Sequence, residues 1–372
     1  MKLSAIKNAI RKYCAVPALV LFAIALTAAF VHLSSALSPQ FADFFNRYIG
    51  SLVRGFTATL TSILPFSLAE TVIIMLPVIF VLAMASSIKA VNESIPRAIR
   101  RLVSTLAAVS LLYSLFVFTT TVSYNGTSLS DKLGLAQTPV SVSELMHTAE
   151  YMIDNMNKEL DNIDYVYGEG SSMPYSLADM NELLLDAYDK ASDKYSFLPR
   201  LRSRIKPIAA SEPMTYTHIS GMYTYYTGEA NLNVNFPDYT LPFTAAHELA
   251  HQRGVMPENE ANFVAFLVCI ESDDPYIRYS GYLNMYEYLS NALYRADYDI
   301  FAEVYTSLDA RVIGEITAYN TFFEKYRDSV ASDVSGAMNN TYLKAQGVEA
   351  GEKSYGMVVD LACAYVNALS ND

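Results

Sequence analysis

The sequence predicts a mostly α-helical protein, with three N-terminal transmembrane helices followed by an α+β, predominantly helical domain that carries a small β-sheet. Three observations predict it. The first third of the chain holds three apolar runs long enough to cross a bilayer. The remainder shows three- and four-residue apolar spacing among acids. Only residues 213–241 switch to Tyr/Thr alternation and Asn-rich turns.

The first run, Ala15 to Leu37, has no charged residue. About 20 such residues cross a hydrocarbon core of roughly 30 Å at about 1.5 Å per residue. The second, about 64–88, is interrupted only by Glu70, near its start and so near the interface; the third, about 102–122, has no charge. Pro65 and Pro77 would break a soluble helix, but neighbours in a membrane satisfy the freed backbone groups. A secretory signal peptide also places basic residues before an apolar stretch, yet its apolar core is only about 7 to 15 residues, and here two further spans follow.

Charge divides the chain at the same place. Its 372 residues, 52% hydrophobic, carry 26 Lys plus Arg and 38 Asp plus Glu, a formal net charge of −12. Residues 1–123 contain ten bases (Lys2, Lys7, Arg11, Lys12, Arg47, Arg54, Lys89, Arg97, Arg100, Arg101) and three acids (Asp43, Glu70, Glu93), a net of +7, which leaves −19 on the rest. These are different physical objects. The turn-forming Ser123-Tyr124-Asn125-Gly126 separates a membrane anchor, 1–123, from an acidic domain, 124–372. Four Lys/Arg precede the first span, two lie between the first and second, and four between the second and third. The positive-inside rule then makes the N-terminus and the 89–101 loop cytoplasmic, and residues 124–372 extracytoplasmic, in a multi-pass protein of the cell membrane. The acidic balance excludes a sequence-independent nucleic-acid binder, and the apolar content excludes a disordered chain. Cys14, Cys269 and Cys363 form neither a CxxC pair nor a disulfide framework and read as small hydrophobes.

Within the acidic domain, Ser143–Ile163 and Leu177–Tyr195 read as amphipathic helices, and Met222–Asn235, punctuated by Gly228, as a short strand or hairpin. Helical signals then return almost to the end. In Asp274–Asp299, Tyr276, Tyr279, Tyr282, Tyr286, Leu289 and Leu293 recur at helical spacing, a core stripe first and a cleft wall second. Lys344–Gly356, with three glycines, is either a mobile loop over the cleft or an ordinary connector.

The chemistry lies in Pro242-Phe243-Thr244-Ala245-Ala246-His247-Glu248-Leu249-Ala250-His251-Gln252-Arg253-Gly254, which contains HExxH. Thr244 can cap the helix and Gly254 can end it, so His247 and His251 fall at i and i+4 on one face, where two imidazoles can hold one Zn²⁺. Glu248 projects beside the metal and serves as general base toward a metal-activated water. The chain has five histidines, and two of them occupy this motif, which makes coincidence a poor explanation. Zinc needs a third protein ligand. Gly254 and Pro257 break the helix, and a second helix starting near Glu258 can fold its first turn back to the same ion, offering Glu258 or Glu260. Neither the motif helix nor the ten uncharged residues Ala261–Ile270 can span a bilayer, so the site belongs to an aqueous domain, with Ala261–Ile270 buried behind the zinc.

These residues resemble gluzincin-like zincins, in which a ligand Glu opens an E-x-x-small-[DN] pattern. The likeness implies Glu258 as ligand and Asn262 as the residue supporting a metal-bound histidine. The three spans, Thr227-Gly228-Glu229-Ala230-Asn231, Pro242-Phe243-Thr244, HELAHQRG, ENEANF and Ser354-Tyr355-Gly356 together resemble an uncharacterised family of bacterial membrane-anchored zinc metallopeptidases, whose activity is itself inferred from the zinc motif. The resemblance covers most of the chain. It implies a zincin-like domain holding one Zn²⁺ per chain and hydrolysing extracytoplasmic or membrane-proximal peptides or proteins. Zincins often add a Tyr or His donor for the transition state, here His218, Tyr223, Tyr279 or Tyr355, and Arg253 is available for a substrate carboxylate. Gluzincins commonly hold the peptide along a strand, here Glu229–Val234. Two other classes compete. A non-hydrolytic zinc-binding membrane sensor or scaffold would not need Glu248, and a channel or transporter component would need more polar groups within the spans than Glu70.

Overall fold

The apolar runs have no means of satisfying their backbone polar groups in hydrocarbon other than by forming helices. In the computed structural model, which describes residues 12–136, 138–166, 170–327 and 329–371 but not the side chains of Glu352, Tyr355 and Asn371, they do so. Helix α1 is Val16–Leu37. After Ser38, whose hydroxyl accepts from Phe41 N, come α2 (Pro39–Phe45), a π-helical turn (Asn46–Gly50) and α3 (Ser51–Ser62). Helix α4 is Leu68–Glu93, with Pro77 inside it, and α5 is Ile95–Phe116, continuing through a second π-helical turn to Tyr124. Three helices, Val16–Leu37, Leu68–Glu93 and Ile95–Tyr124, are long and apolar enough to cross a membrane. The second and third run beyond the apolar cores at 64–88 and 102–122 because their polar ends still have good helix formers, Lys89 to Glu93 and Arg97 to Arg101.

The α2–α3 segment was not anticipated. It is too polar to span, yet it is helical and strongly two-faced: Ala42, Phe45, Arg54, Ala58 and Thr61 are buried, whereas Phe44, Leu52, Phe56, Leu60 and Ile63 are exposed.

The rest of the chain begins with α6 (Val142–Asn157), closed by a Ser141/Glu144 capping box, and α7 (Leu177–Lys194), capped by Ser176, where the periodicity predicts helices. A minimal ladder pairs Tyr165–Val166 with Gly170–Ser171. Strands β1 (Lys206–Pro207), β2 (Gly221–Thr224) and β3 (Glu229–Leu232) make a sheet of order β1-β3-β2, with β3 parallel to β1 and antiparallel to β2, Tyr223 opposite Ala230. The β2–β3 turn needs Gly228 at φ +70, where any Cβ would strike Thr57 of α3. Helices α8 (Thr240–Gln252), α9 (Glu258–Ile270), α10 (Pro275–Ala296), α11 (Tyr298–Thr306), α12 (Ala310–Glu324), α13 (Val330–Ala345) and α14 (Val358–Asn371) complete a mostly helical fold. Helix α9 is the centre of the core. Ala261 and every residue from Phe263 to Cys269 are at most 1% exposed, packed among α7, α8, α10 and α14. The predicted tyrosine stripe of α10 is buried there too, and Cys14, Cys269 and Cys363 are free.

Buried charges join α3 and α4 to the sheet. Lys206, fully buried, donates to the carbonyls of Thr61 (2.9 Å) and Leu64 at the end of α3. Glu229, 1% exposed, accepts from the N–H groups of Leu68 (3.1 Å) and Ala69 (2.8 Å) at the start of α4. Ser67 adds a hydroxyl bond to Asn231 (2.6 Å), and Glu70 accepts from Ala209 and Ala210 N–H at 2.9 and 2.8 Å. Each charge has the sign that the adjoining helix dipole favours. Glu70 thus faces the chain that follows β1.

Removing the Glu229 carboxylate strands two helix N–H groups and leaves the nearby Lys206 charge less compensated. Glu229→Ala should therefore lower the stability of the full chain in detergent by about 3 kcal/mol, and Glu229→Gln by less. Chemical denaturation that gives wild-type stability for the alanine variant would contradict the buried seam.

Candidate metal centre

Helix α8 starts one turn before the predicted cap at Thr244, and its first backbone donors are all accounted for. Thr240 N–H bonds Pro237 O (3.0 Å), Leu241 N–H bonds Asp238 O (3.1 Å), Pro242 has none to place, and Phe243 N–H bonds Ser280 Oγ of α10 (3.1 Å). The earlier start makes Thr244 an interior residue and leaves the motif on well-formed helix. At the other end Gly254 takes φ +93, returning the chain so that Val255 N–H bonds Ala250 O (3.1 Å) and Val255 O meets His251 Nδ1 (2.8 Å). A carbonyl oxygen can only accept, so Nδ1 carries the proton and Nε2 is left as the ring's ligand atom.

Glu258 opens α9, where a carboxylate also suits the helix N-terminus. Its Oε2 lies 3.2 Å from His247 Nε2 and 3.5 Å from His251 Nε2. One ligand atom from each of the three residues lies within 4.8 Å of the others. Bonds of about 2.0–2.2 Å from a tetrahedral zinc would separate such atoms by about 3.3–3.6 Å, so the donor set fits in both chemistry and spacing. His247 Nδ1 is buried without a hydrogen-bond partner. Burial works against the negative form of Glu258, but His251 and His247 beside it prevail and hold its carboxyl below the ordinary range. Burial likewise opposes a charged His251, and Glu258 prevails, raising that imidazole to about 9.

Glu248 occupies a different environment. It is 4% exposed, its Oε2 has no hydrogen-bond partner, and β2 passes directly over it, with Tyr223 N–H supplying a backbone hydrogen bond. Burial raises its carboxyl above the ordinary value, opposed by His247 and His251. The approach is so close that a Cβ on Gly221 would lie 2.6 Å from Glu248 Oε1. Gly221 is therefore part of the site, which only the requirement for close backbone approach reveals.

The other expected residues divide. Glu260 is not at the cluster: two residues of α9 turn it about 200° from Glu258, and its carboxylate accepts from Leu129 N–H at 2.8 Å. Asn262, one turn beyond Glu258, faces the same cavity, but no hydrogen bond joins it to either histidine. Tyr223 is close, its ring 6.4 Å from that of His251. His218 lies on the cavity wall with its Nε2 on Tyr326 O (2.9 Å). Tyr279 is buried in the core against Glu315 (3.3 Å) and does not line the cavity. Arg253 is 2% exposed, bonds Leu249 O and Leu201 O, and stacks on Tyr188 at 3.8 Å; it locks the helix end and is closed to substrate. The side chain of Tyr355 lies outside the described residues.

A comparison with protein families matches residues 45–363 to one described as a protein of unknown function, DUF3810. The chain belongs to this family. No curated protein and no solved structure matches it.

In this DUF3810 chain the cluster floors a cavity of about 1690 Å³. Strand β2 supplies one wall, Asn284, Glu287, Tyr288 and Asn291 of α10 another, and α13 a third. Three expectations change here. The cleft face of α10 is not the tyrosine stripe but the polar face beside it. The element along the cleft is α13, and none of the described side chains of residues 344–356 lines it. Strand β3, at Glu229–Leu232, is paired by β1 and β2, so the free edge available to a peptide is that of β2.

Gly221→Ala should push Glu248 from its place while leaving His247, His251 and Glu258 untouched. Overpacking of this kind costs about 1–3 kcal/mol, read by thermal unfolding of the full chain. A variant as stable as wild type would show that β2 does not press on Glu248.

Proposed function

We propose that the chain is a membrane-anchored, zinc-dependent metallopeptidase with a zincin-like active-site arrangement, holding one Zn²⁺ through His247, His251 and Glu258 and using Glu248 as general base. The observation that carries this is the convergence of those three donors at zinc spacing, with a second, differently tuned carboxylate beside them in a large cavity. A purely structural zinc site has no use for Glu248 or for the open cavity.

When bound, the ion supplies Lewis acidity, which makes water nucleophilic at neutral pH and polarises a carbonyl. The chain's own groups do the rest. The free edge of β2 aligns an extended peptide by main-chain hydrogen bonds beside Glu248. Glu248 takes a proton from the attacking water and returns it to the departing nitrogen as the C–N bond breaks, so the products are a carboxylate and an amine. Tyr223 N–H keeps the Glu248 carboxylate oriented, and the Tyr223 ring lies 6.4 Å from that of His251.

The proposed topology places the N-terminus and the α4–α5 turn in the cytoplasm and the cluster outside the cell membrane. What supports it is the layout of charge: Lys89, Arg97, Arg100 and Arg101 sit around that turn, whereas the opposite helix ends, at Ser67 and Tyr124, meet the acidic part of the chain.

Purified full chain in detergent should contain about one zinc ion, absent in His247→Ala. Glu258→Gln should weaken zinc binding by at least tenfold and Glu260→Gln should leave it unchanged, because only the first faces the imidazoles. Metal analysis of folded wild type that finds no zinc would end this reading. Glu248→Gln should keep the metal and slow cleavage of a peptide library about 10²–10⁴-fold; equal rates would remove Glu248 as the base and favour a sensor or scaffold.

A further inference from the structure

The α2–α3 segment shows where the bilayer surface lies relative to the cluster. Its inward face is polar and bound to the rest of the chain: Asn46 Nδ2 donates to Gly254 O (3.0 Å), and Arg54, 1% exposed, donates to Thr119 O (3.1 Å) and Asn46 Oδ1 (2.7 Å). Its outward face presents Leu52, Phe56, Leu60 and Ile63 at 73, 71, 56 and 77% exposure. A helix of this kind lies in the interfacial plane with its apolar side among the acyl chains, and the three long apolar helices present exposed apolar side chains of their own. Gly254 ends the HExxH helix and touches the inward face, so about one helix diameter, roughly 10 Å, separates the metal-binding helix from the membrane surface.

The cavity reaches the same level. Phe116, Thr120 and Tyr124, at the end of the third span, form part of its wall. Phe116 also carries the rings of Tyr225 (5.1 Å) and Tyr342 (6.2 Å), so the β2–β3 turn and α13 both rest on a residue of the apolar span. Along α13, Val330, Val334 and Met338 recur every four residues at 77, 54 and 69% exposure, giving the cavity an apolar rim. The volume exceeds the roughly 300–1,000 Å³ of small-molecule pockets and suits a stretch of polypeptide.

We propose that the cavity receives the extended juxtamembrane segment of a polypeptide tethered to the same bilayer, entering along the surface of the leaflet on which the cluster sits. This rests on the peptidase reading and narrows its substrates to anchored chains, for which tethering raises the local concentration at the cleft. The rim favours segments with apolar residues, and β2 supplies the backbone register.

The test uses the full chain, loaded with zinc, in lipid vesicles. Two pools of the same randomised segment of about 15 residues, roughly 50 Å when extended, are added: one fused to a single transmembrane anchor in the same vesicles, the other free. New amino termini are then read by mass spectrometry. The expected result is cleavage of the anchored pool at least about a hundredfold faster at equal bulk concentration, with cuts clustered near the anchor and lost in Glu248→Gln. Equal cleavage of both pools, or cuts scattered without regard to the anchor, would overturn the proposal and leave the peptidase reading standing. Cleavage of neither pool by zinc-loaded protein would overturn both. A fluorophore at Phe56 supplies a readout independent of activity: brominated lipid should quench it, and an unquenched probe would remove the membrane surface from beneath the site.

Discussion

A charge buried without water must be met by opposite charge or by hydrogen bonds, or it costs several kcal/mol. Arg54, Lys206 and Glu229 are buried where α3 and the ends of the long apolar helices meet the rest of the chain, and the fold is organised around satisfying them. Lys206 takes the last carbonyls of α3, Glu229 takes the first N–H groups of α4, and Arg54 ties α3 to the end of the third span. These pairings are directional. Sliding the sheet by one residue would reverse which side chains face α3 and α4 and strand Lys206 and Glu229. The position of the sheet over α3 is therefore fixed, and with it the position of β2 over Glu248.

From that placement the two carboxylates of the site acquire opposite character. Glu258 lies between two imidazoles and is held ionised, as a ligand must be. Glu248 sits under a strand, with one backbone donor and little water, and its proton affinity is raised. Environments that drive two nearby acids apart in this way are how one site assigns separate roles to chemically identical groups. Gly221 sustains the difference, since any side chain there would displace Glu248 toward the cavity and hydrate it.

The three long apolar helices were legible because a segment able to cross hydrocarbon needs a long apolar run, and the amphipathic α6 and α7 because their polar faces meet water. The hairpin at 221–232 was legible from its alternation and Gly228. The α2–α3 segment was not, because its pattern satisfies two solvents at once. Its apolar residues face outward and its buried positions include Arg54 and Thr61, the reverse of a soluble helix, and mean composition cannot report that inversion. The buried state of Lys206 and Glu229 was equally invisible, since charged residues in a short strand read as edge positions until their partners on α3 and α4 are known.

At the site, His247 and His251 follow directly from the four-residue repeat. At about 100° per residue, Glu258 and Asn262 share a face and Glu260 looks the other way, so spacing allows only one of the two acids to reach the imidazoles, and it is the packing of α9 that turns Glu258 to them and Glu260 to Leu129. The cavity walls lie beyond such local reasoning. Asn284, Glu287, Tyr288 and Asn291 occupy the polar side of a helix whose other side is core, a pattern that on sequence alone means only water. That water-facing stripe becomes a cleft because α13 and the end of the third span stand opposite it, and their positions follow from the aromatic packing of Tyr342 on Phe116, more than two hundred residues apart in the chain.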